Sequence, residues 1–158
     1  MKIAIAYNAN GIKLANPLKV FLEELGHEVH DFGNTKDDLD ETDVAYAACK
    51  ELPNEHIDRA ILICGAGQCS CIVANKFNGL YAASCNDAFE AHLARQQFNT
   101  NVLCMSARWL DISTALDIVK EWLNTAFRET PRNSRTLEKI KLIEKRQCTV
   151  TSLFGSME

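Results

Sequence analysis

The sequence predicts a doubly wound α/β fold, in which helices cover both faces of a five-stranded parallel sheet. Short apolar runs alternate along the chain with longer segments whose apolar residues recur at helical spacing. Such alternation is typical of strand–helix–strand units, whose right-handed crossovers place helices on both faces of a sheet. The chain has 158 residues, 47% of them hydrophobic, which is enough for one domain with one core.

The third of the five predicted strands gives the clearest signal. Residues 58–64 (DRAILIC) contain a continuous apolar run, which is typical of a strand buried on both faces of the sheet. The other four predicted strands span residues 2–7, 27–32, 79–84 and 101–105. The predicted helices span residues 12–25, 42–51, a short stretch ending at 76, 88–97, 112–127 and 135–146.

Local signals mark the ends of several helices. Pro17 fits a helix only near its start, and Gly26 fits the position just after a helix end. Thr42 is the predicted cap of the second helix, and Asn86 or Asp87 is the predicted cap of the fourth. Residues 1–146 are predicted to form the domain and residues 147–158 a C-terminal tail.

Composition excludes several classes of function. A net charge of −4 with both signs mixed along the chain argues against a nucleic-acid-binding protein, which needs a clustered basic face. No apolar run approaches the length of a membrane span, so no membrane partner is expected. The chain opens directly into its first predicted strand without a signal peptide, which predicts a cytoplasmic protein.

Seven cysteines are many for a chain of this length. Their odd number and the expected compartment predict reduced thiols. Their spacing does not match that of common zinc sites, so neither a metal nor another cofactor is expected. Ligands of doubly wound folds bind at the carboxyl ends of the strands, where Cys64, Cys85 and Cys104 are predicted to lie.

The loop that follows the third predicted strand, residues 65–70 (GAGQCS), is a candidate anion site. Its glycines allow backbone N–H groups to converge, and the start of the next helix adds positive potential. Such a loop stabilises a thiolate at Cys64 and an oxyanion beside it, which suits proton abstraction next to a carbonyl. The alternatives are a tight strand–helix turn and a cysteine that simply packs in the core.

The basic and imidazole side chains give weaker signals. Arg108 follows the fifth predicted strand, and Arg132 and Arg135 lie at the start of the last helix. Together these arginines form a candidate phosphate site, although each alone is more typical of a solvated surface charge. None of the four histidines lies at a strand's carboxyl end, so all four are expected at the surface: His27, His30, His56 and His92.

Three segments carry a resemblance to a known family: residues 61–67 (ILICGAG), 72–77 (IVANKF) and 99–103 (NTNVL). With their surroundings, over about residues 1–145, they resemble ribose-5-phosphate isomerase B and the galactose-6-phosphate isomerase subunits. The resemblance implies a Rossmann-like fold, a dimer formed through the C-terminal helix, and isomerisation of a sugar phosphate without a cofactor. It further implies a homodimer or homotetramer with shared active sites.

The resemblance also implies roles for individual residues. Cys64 matches the family's base, which moves a proton between C1 and C2 of the sugar. Arg108 and Arg132 match arginines that bind phosphate, Arg132 from the neighbouring subunit, and Asn75 and Lys76 match the family's ANK segment. The positions that match the catalytic groups are Cys64, Ala66 and Gln97. The positions that match substrate contacts are Asn8, Ala9, Gly65, Gly67, Gln68, Cys69, Ser70, Phe98, Arg108, Arg132 and Arg135.

Several of these positions depart from the family's pattern. Ala66 replaces a threonine or serine that steadies the enediolate, and Gln97 replaces the histidine that opens the sugar ring. The other departures are Asn8-Ala9 for Asp-His, Asp43-Val44 in the region of a tyrosine, Cys69 for a glycine, Ser70 for an alternative glutamate base, and Thr136 for an arginine beside Arg135. Gln97 cannot exchange a proton near neutral pH, so ring opening has no evident acid.

Three explanations of these departures remain open. The substrate is a short sugar phosphate that stays open-chain, or the chain completes its site with a different subunit, or the scaffold binds sugar phosphates without turnover. The favoured prediction is an aldose–ketose isomerase acting through a cis-enediolate. The alternative is a non-catalytic or partner-dependent sugar-phosphate-binding subunit.

Overall fold

A computed structural model places five parallel strands in one sheet. It describes residues 1–34, 36, 40–53 and 56–154, with side chains described through residue 146. The strands are β1 (Lys2–Tyr7), β2 (Glu28–Asp31), β3 (Arg59–Cys64), β4 (Ala82–Ser84) and β5 (Val102–Ser106). The helices are α1 (Ile12–Glu24), α2 (Glu41–Glu51), α3 (Gln68–Ala74), α4 (Ala88–Phe98), α5 (Ile112–Asn124) and α6 (Pro131–Phe154).

The strand order β2-β1-β3-β5-β4 confirms the predicted doubly wound α/β class. The most apolar strand, β3, lies in the middle, where Ile61 pairs with Ile5 of β1 and with Leu103 of β5. Because all neighbouring strands are parallel, their carboxyl ends form one common edge of the sheet. Any site built from strand ends therefore lies at this edge.

The two faces of the sheet are packed differently. One face carries large residues such as Ile5 and Met105, which contact α1, α4 and α5, including the fully buried Trp122. The other face carries small residues such as Ala4 and Ala6, which contact α2 and α3. Alternation of large and small residues along β1 produces this difference, because successive side chains of a strand point to opposite faces.

Several element boundaries differ from the sequence predictions. Asp40, rather than Thr42, caps α2, since its carboxylate accepts from the N–H groups of Thr42 and Asp43, and Asp43 returns a capping-box contact. Pro17 lies inside α1 and has no N–H group to donate. The carbonyl of Lys13, four residues earlier, therefore lacks its helical hydrogen bond. The Lys13 side chain is exposed. Cys104 lies within β5 rather than at its end, because the strand continues to Ser106.

Other signals are confirmed. Gly26 follows the end of α1 with φ of +79°, and Asp87 caps α4 by accepting from the N–H of Glu90. The last helix starts earlier than predicted, at Pro131, and continues through Phe154. The boundary between domain and tail at residue 146 stays a prediction. No helix among the described residues is both long and apolar enough to cross a bilayer.

Candidate active site

Cys64 ends β3 at the carboxyl edge of the sheet, where it pairs with Ser106 of β5. The carbonyl of Cys64 accepts from the N–H of Ala107 at 2.9 Å. The carbonyl of Gly65 accepts from the Ser106 hydroxyl at 2.8 Å and from the N–H of Arg108 at 3.1 Å. These three bonds tie the loop after β3 to the turn after β5 and fix the position of Cys64.

Gly67 is required where this loop enters α3. Its φ is +75°, and a Cβ added there would lie 3.0 Å from the main chain of both Met105 and Ser106. Neither the dihedral angle nor the space suits a residue with a side chain. The GxG signal of the sequence therefore has a definite structural basis, in which the glycine lets the loop approach β5 closely.

A carboxylate that the sequence analysis missed binds the backbone of this loop. The N–H of Gly65 donates to Oε1 of Glu41 at 2.6 Å. Glu41 lies in the acidic stretch just before the second predicted helix (residues 42–51), whereas in the structure it is the first residue of α2. The only signal that could have indicated it is the start of a helix within that acidic stretch, which places a glutamate in the first turn.

Cys64 and Glu41 line one narrow cleft, together with Asn8 and Ser70, and this cleft is too tight to hold a water molecule. The remaining lining residues are apolar: Ala6, Val44, Ala45, Leu62 and Ile63. Cys64 is only 2% exposed, so its thiol is closed to solvent, and a substrate reaches it only when the walls of the cleft move apart.

Asn8 contributes an unsatisfied polar atom to the cleft. Its Oδ1 is buried without a hydrogen-bond partner, and it is the one such side-chain atom found in the described part of the chain. The residue as a whole is 9% exposed. A buried acceptor without a donor costs free energy, about 1–3 kcal/mol, unless a ligand supplies the donor. Asn8 is therefore suited to accept from a hydroxyl group that enters the cleft.

The other predicted residues of this edge surround the cleft less closely. Arg108 is exposed, but its Nε lies 3.3 Å from the point where a Cβ on Gly65 would stand, and Glu41 flanks the same point. Cys69 is half-buried, with its sulfur 3.3 Å from the hydroxyl oxygen of Thr42. Three predicted residues are exposed: Ala9, Ala66 and Gln68.

Four predicted residues lie elsewhere in the chain, namely Gln97, Phe98, Arg132 and Arg135. Gln97 and Phe98 end α4 just before β5 begins, at the amino edge of the sheet. The five residues of β5, at about 3.3 Å per step, separate this edge from the carboxyl edge by roughly 13 Å. The start of α6 lies at the same edge, since the side chain of Asn133 donates to the carbonyl of Gln96 at 3.4 Å.

A second notable thiol belongs to Cys71 of α3, which the sequence analysis did not single out. The Cys104 thiol lowers the pKa of Cys71 to about 7, assisted by the backbone of Ser84 and opposed by burial. Burial raises the pKa of Cys104, so Cys104 stays protonated as the donor. The amide nitrogen of Asn75 lies 3.6 Å from the Cys71 sulfur and donates to it. Cys71 is half-buried, and it points towards Cys104 rather than into the cleft.

The histidines remain outside the cleft. His56 is exposed as expected, whereas His27, His30 and His92 are half-buried. The Nδ1 of His92 lies 2.8 Å from Oε1 of Glu121. That hydrogen bond lowers the pKa of Glu121. In the part of the chain that the structure describes, no three His, Cys, Asp or Glu side chains are arranged to hold a metal ion.

Comparisons with known proteins agree with the fold. The family model described as Ribose/Galactose Isomerase matches residues 3–140. A D-erythrulose-4-phosphate isomerase of Pectobacterium atrosepticum is 34% identical over 93% of this chain and 97% of its own length. Ribose-5-phosphate isomerase B of Escherichia coli is 34% identical over 92% of this chain and 98% of its own length. The structure of ribose-5-phosphate isomerase B from Clostridium thermocellum superposes with a TM-score of 0.87, at 34% identity, covering 93% of this chain and 99% of that one.

Proposed function

This chain belongs to the ribose/galactose isomerase family, and from that premise we propose that it converts an open-chain aldose phosphate into its ketose phosphate with Cys64 as base. It is an aldose–ketose isomerase of sugar phosphates. The observation that carries the proposed mechanism is the cleft at the end of β3, where the Cys64 thiol and the unpartnered Oδ1 of Asn8 border the same space.

The proposed reaction proceeds through a cis-enediolate. The Cys64 thiolate removes the proton from C2 of the aldose, and the electron pair shifts to form the C1–C2 double bond. Backbone N–H groups of the loop at Gly65, Ala66 and Gly67 stabilise the oxygen that gains charge. Ala66 adds no hydroxyl, so this stabilisation comes from the main chain alone. Asn8 accepts from a sugar hydroxyl and thereby gains the hydrogen bond that it lacks in the free protein.

The proposed substrate is a short sugar phosphate. Gln97 cannot act as an acid near neutral pH, so the site has no evident group to open a sugar ring. A substrate that exists mainly as a closed ring would therefore react slowly. A four-carbon aldose with phosphate on its terminal oxygen has no hydroxyl placed to close a stable ring. The relative from Pectobacterium atrosepticum is named for a four-carbon ketose phosphate, so the family includes an enzyme named for a substrate of this length.

The proposed site is completed by a second copy of the chain. Gln97, Phe98, Arg132 and Arg135 lie at the amino edge of the sheet, away from Cys64 of the same chain. In a two-fold dimer the amino edge of each chain can face the carboxyl edge of the other, so Arg132 and Arg135 would reach the substrate's phosphate in trans. Arg108 would bind the same phosphate from the chain that supplies Cys64.

A binding protein without turnover is the second candidate. One observation favours it: the Gly65 N–H, a main-chain donor of the proposed oxyanion site, is already occupied by the Glu41 carboxylate. A thermal-shift panel of four- to six-carbon sugar phosphates discriminates between the two candidates. A raised melting temperature together with absent turnover favours the binding protein.

The test of the proposed mechanism is proton exchange at C2 in deuterated water. With D-erythrose 4-phosphate as substrate, Cys64→Ser is expected to lower both exchange and isomerisation by about 10²–10⁴-fold, because the hydroxyl is a much weaker base than the thiolate. Deuterium at C2 is measured by NMR alongside ketose formation. Cys85→Ser is the matched control, since it replaces another buried thiol outside the cleft and should leave the rates unchanged. Equal rates in the wild type and Cys64→Ser would remove Cys64 from the mechanism.

A further inference from the structure

We propose that Glu41 is a second acid–base group of this site, which moves a proton between the two substrate oxygens while Cys64 acts at carbon. The inference deepens the proposed function and rests on it. It concerns the step that the replaced residues leave without a catalyst. Neither Ala66 nor Gln97 carries a group that exchanges protons near neutral pH.

The first argument is the position of the carboxylate. Oε1 of Glu41 lies 2.6 Å from the N of Gly65, the residue directly after Cys64. In the proposed reaction a substrate oxygen gains charge beside this same amide. The carboxyl group therefore already stands where a substrate oxygen must come, within hydrogen-bond reach of that oxygen after a small displacement.

The second argument is that α2 does not need this carboxylate for its own stability. Asp40 caps the helix by accepting from the N–H groups of Thr42 and Asp43, and Asp43 completes the capping box. Glu41 instead extends away from its helix to a loop that is 24 residues further along the chain. A purely helical role explains Asp40 and Asp43 but does not explain the contact of Glu41.

The third argument is the character of the cleft. Cys64 and Glu41 share a narrow space with mostly apolar walls, where two negative charges at once are unfavourable. Arg108 lies close to the same point above Gly65, so a positive charge faces this space as well. The proposed reaction begins with a thiolate at Cys64 and a protonated carboxyl group at Glu41.

The proton balance of the step closes. The Cys64 thiolate takes the proton from C2, which gives the enediolate, and the Glu41 carboxyl group then gives its proton to the enediolate oxygen at C1, which yields the neutral enediol. The Glu41 carboxylate then takes the proton from the hydroxyl at C2 as the new carbonyl forms there. The Cys64 thiol returns its proton to C1. Both groups end in the protonation state in which they started, and no further reactant is needed.

Glu41→Gln tests this role, because the amide keeps the shape and the acceptor oxygen but cannot exchange a proton. With D-erythrose 4-phosphate in deuterated water, isomerisation is expected to fall by about 10²–10⁴-fold. Exchange at C2 should fall less, since the enediolate still forms at Cys64 and returns to the aldose. The ratio of exchange to isomerisation is therefore expected to rise at least tenfold, and Glu41→Asp, whose carboxylate falls short of Gly65, should raise it as well.

Glu24→Gln is the matched control, because it makes the same change at an exposed carboxylate at the end of α1, away from the cleft. It should leave the ratio of exchange to isomerisation at the wild-type value. A Glu41→Gln protein with unchanged rates, or with exchange and isomerisation lowered equally, would overturn the role of Glu41 and leave the proposed function standing. A wild type that neither exchanges nor isomerises any sugar phosphate of the panel would overturn the proposed function and this role with it.

Discussion

The two edges of the sheet carry different halves of the predicted chemistry. At the carboxyl edge, Cys64, Glu41 and Asn8 are buried or half-buried and meet in one cleft. At the amino edge, the residues matched to ring opening and phosphate binding lie on the ends of α4 and α6, where Arg132 and Arg135 are exposed. One edge therefore holds the groups proposed to act on carbon and oxygen, and the other holds two exposed arginines.

In the proposed mechanism, one chain alone does not assemble the site, because its two groups of residues lie at opposite edges. Proton transfer needs rigid placement, which the hydrogen bonds around Gly65 supply at the carboxyl edge. Phosphate binding needs arginines that are free to form new hydrogen bonds, which the exposed start of α6 supplies. In a two-fold dimer that pairs the carboxyl edge of one chain with the amino edge of the other, each of the two sites would contain both groups of residues.

The largest expected effect comes from mixing two inactive variants. Cys64→Ser damages the carboxyl edge, and Arg132→Ala damages the amino edge; Arg132→Ala is expected to cost about 1.5–3 kcal/mol of phosphate binding. After the two proteins are unfolded together and refolded, half of the dimers contain one intact site, so about a quarter of wild-type activity should return. Isomerisation per milligram of protein is the measurement.

The control for this mixture uses two variants of the same edge. Cys64→Ser mixed with Glu41→Gln leaves one damaged carboxyl edge in every site, so no activity should return. Restoration in this control, or none in the first mixture, would contradict a site shared between the two edges.

A smaller effect is expected from two glycines with similar φ. Gly67→Ala introduces both a strained dihedral angle and contacts of 3.0 Å with the main chain of β5, whereas Gly26→Ala at φ +79° meets nothing within 4 Å. We expect a loss of unfolding free energy of about 1–2 kcal/mol for Gly26→Ala and a further 1–3 kcal/mol for Gly67→Ala.

Denaturant titration measures both free energies of unfolding, and isomerisation is assayed in parallel. Only Gly67→Ala should also lower activity, because it displaces the loop that carries Gly65. Equal effects of the two substitutions on stability would show that close packing against β5 does not matter.

The smallest expected effect concerns the accessibility of the two thiols. Iodoacetamide should modify Cys71 with a rate that rises with pH about a midpoint near 7, because the thiolate is the reactive form and its pKa is lowered to about 7. Cys64 should react more slowly in the free protein, since it is buried behind the Glu41 contact. Mass spectrometry of tryptic peptides follows each site separately.

Cys104→Ala is the control for Cys71. It removes the thiol that donates to Cys71, so the midpoint of the pH dependence should move upward. An unchanged midpoint would show that Cys104 does not stabilise the Cys71 thiolate.

The fold could be predicted almost completely, because its signals are local. The apolar run of β3, the glycine after α1 and the helical spacing of α5 each lie within a few adjacent residues. The errors occurred at helix ends, where Asp40 and Thr42 are both good caps and the choice depends on the packing of α2. Cys64 could be predicted as well, because it is the last residue of a strand that a glycine-rich loop follows.

What the sequence by itself determined is which residues end the strands and which glycines the loops require, since backbone geometry depends on near neighbours. Only the tertiary structure decided that Glu41 accepts a hydrogen bond from Gly65, that the side-chain oxygen of Asn8 has no hydrogen-bond partner, and that Cys71 contacts the Cys104 thiol. These contacts join distant parts of the chain, and they exist because the strand order places β1, β3 and β5 side by side. Periodicity carries no information about that order, so no local pattern could have indicated them.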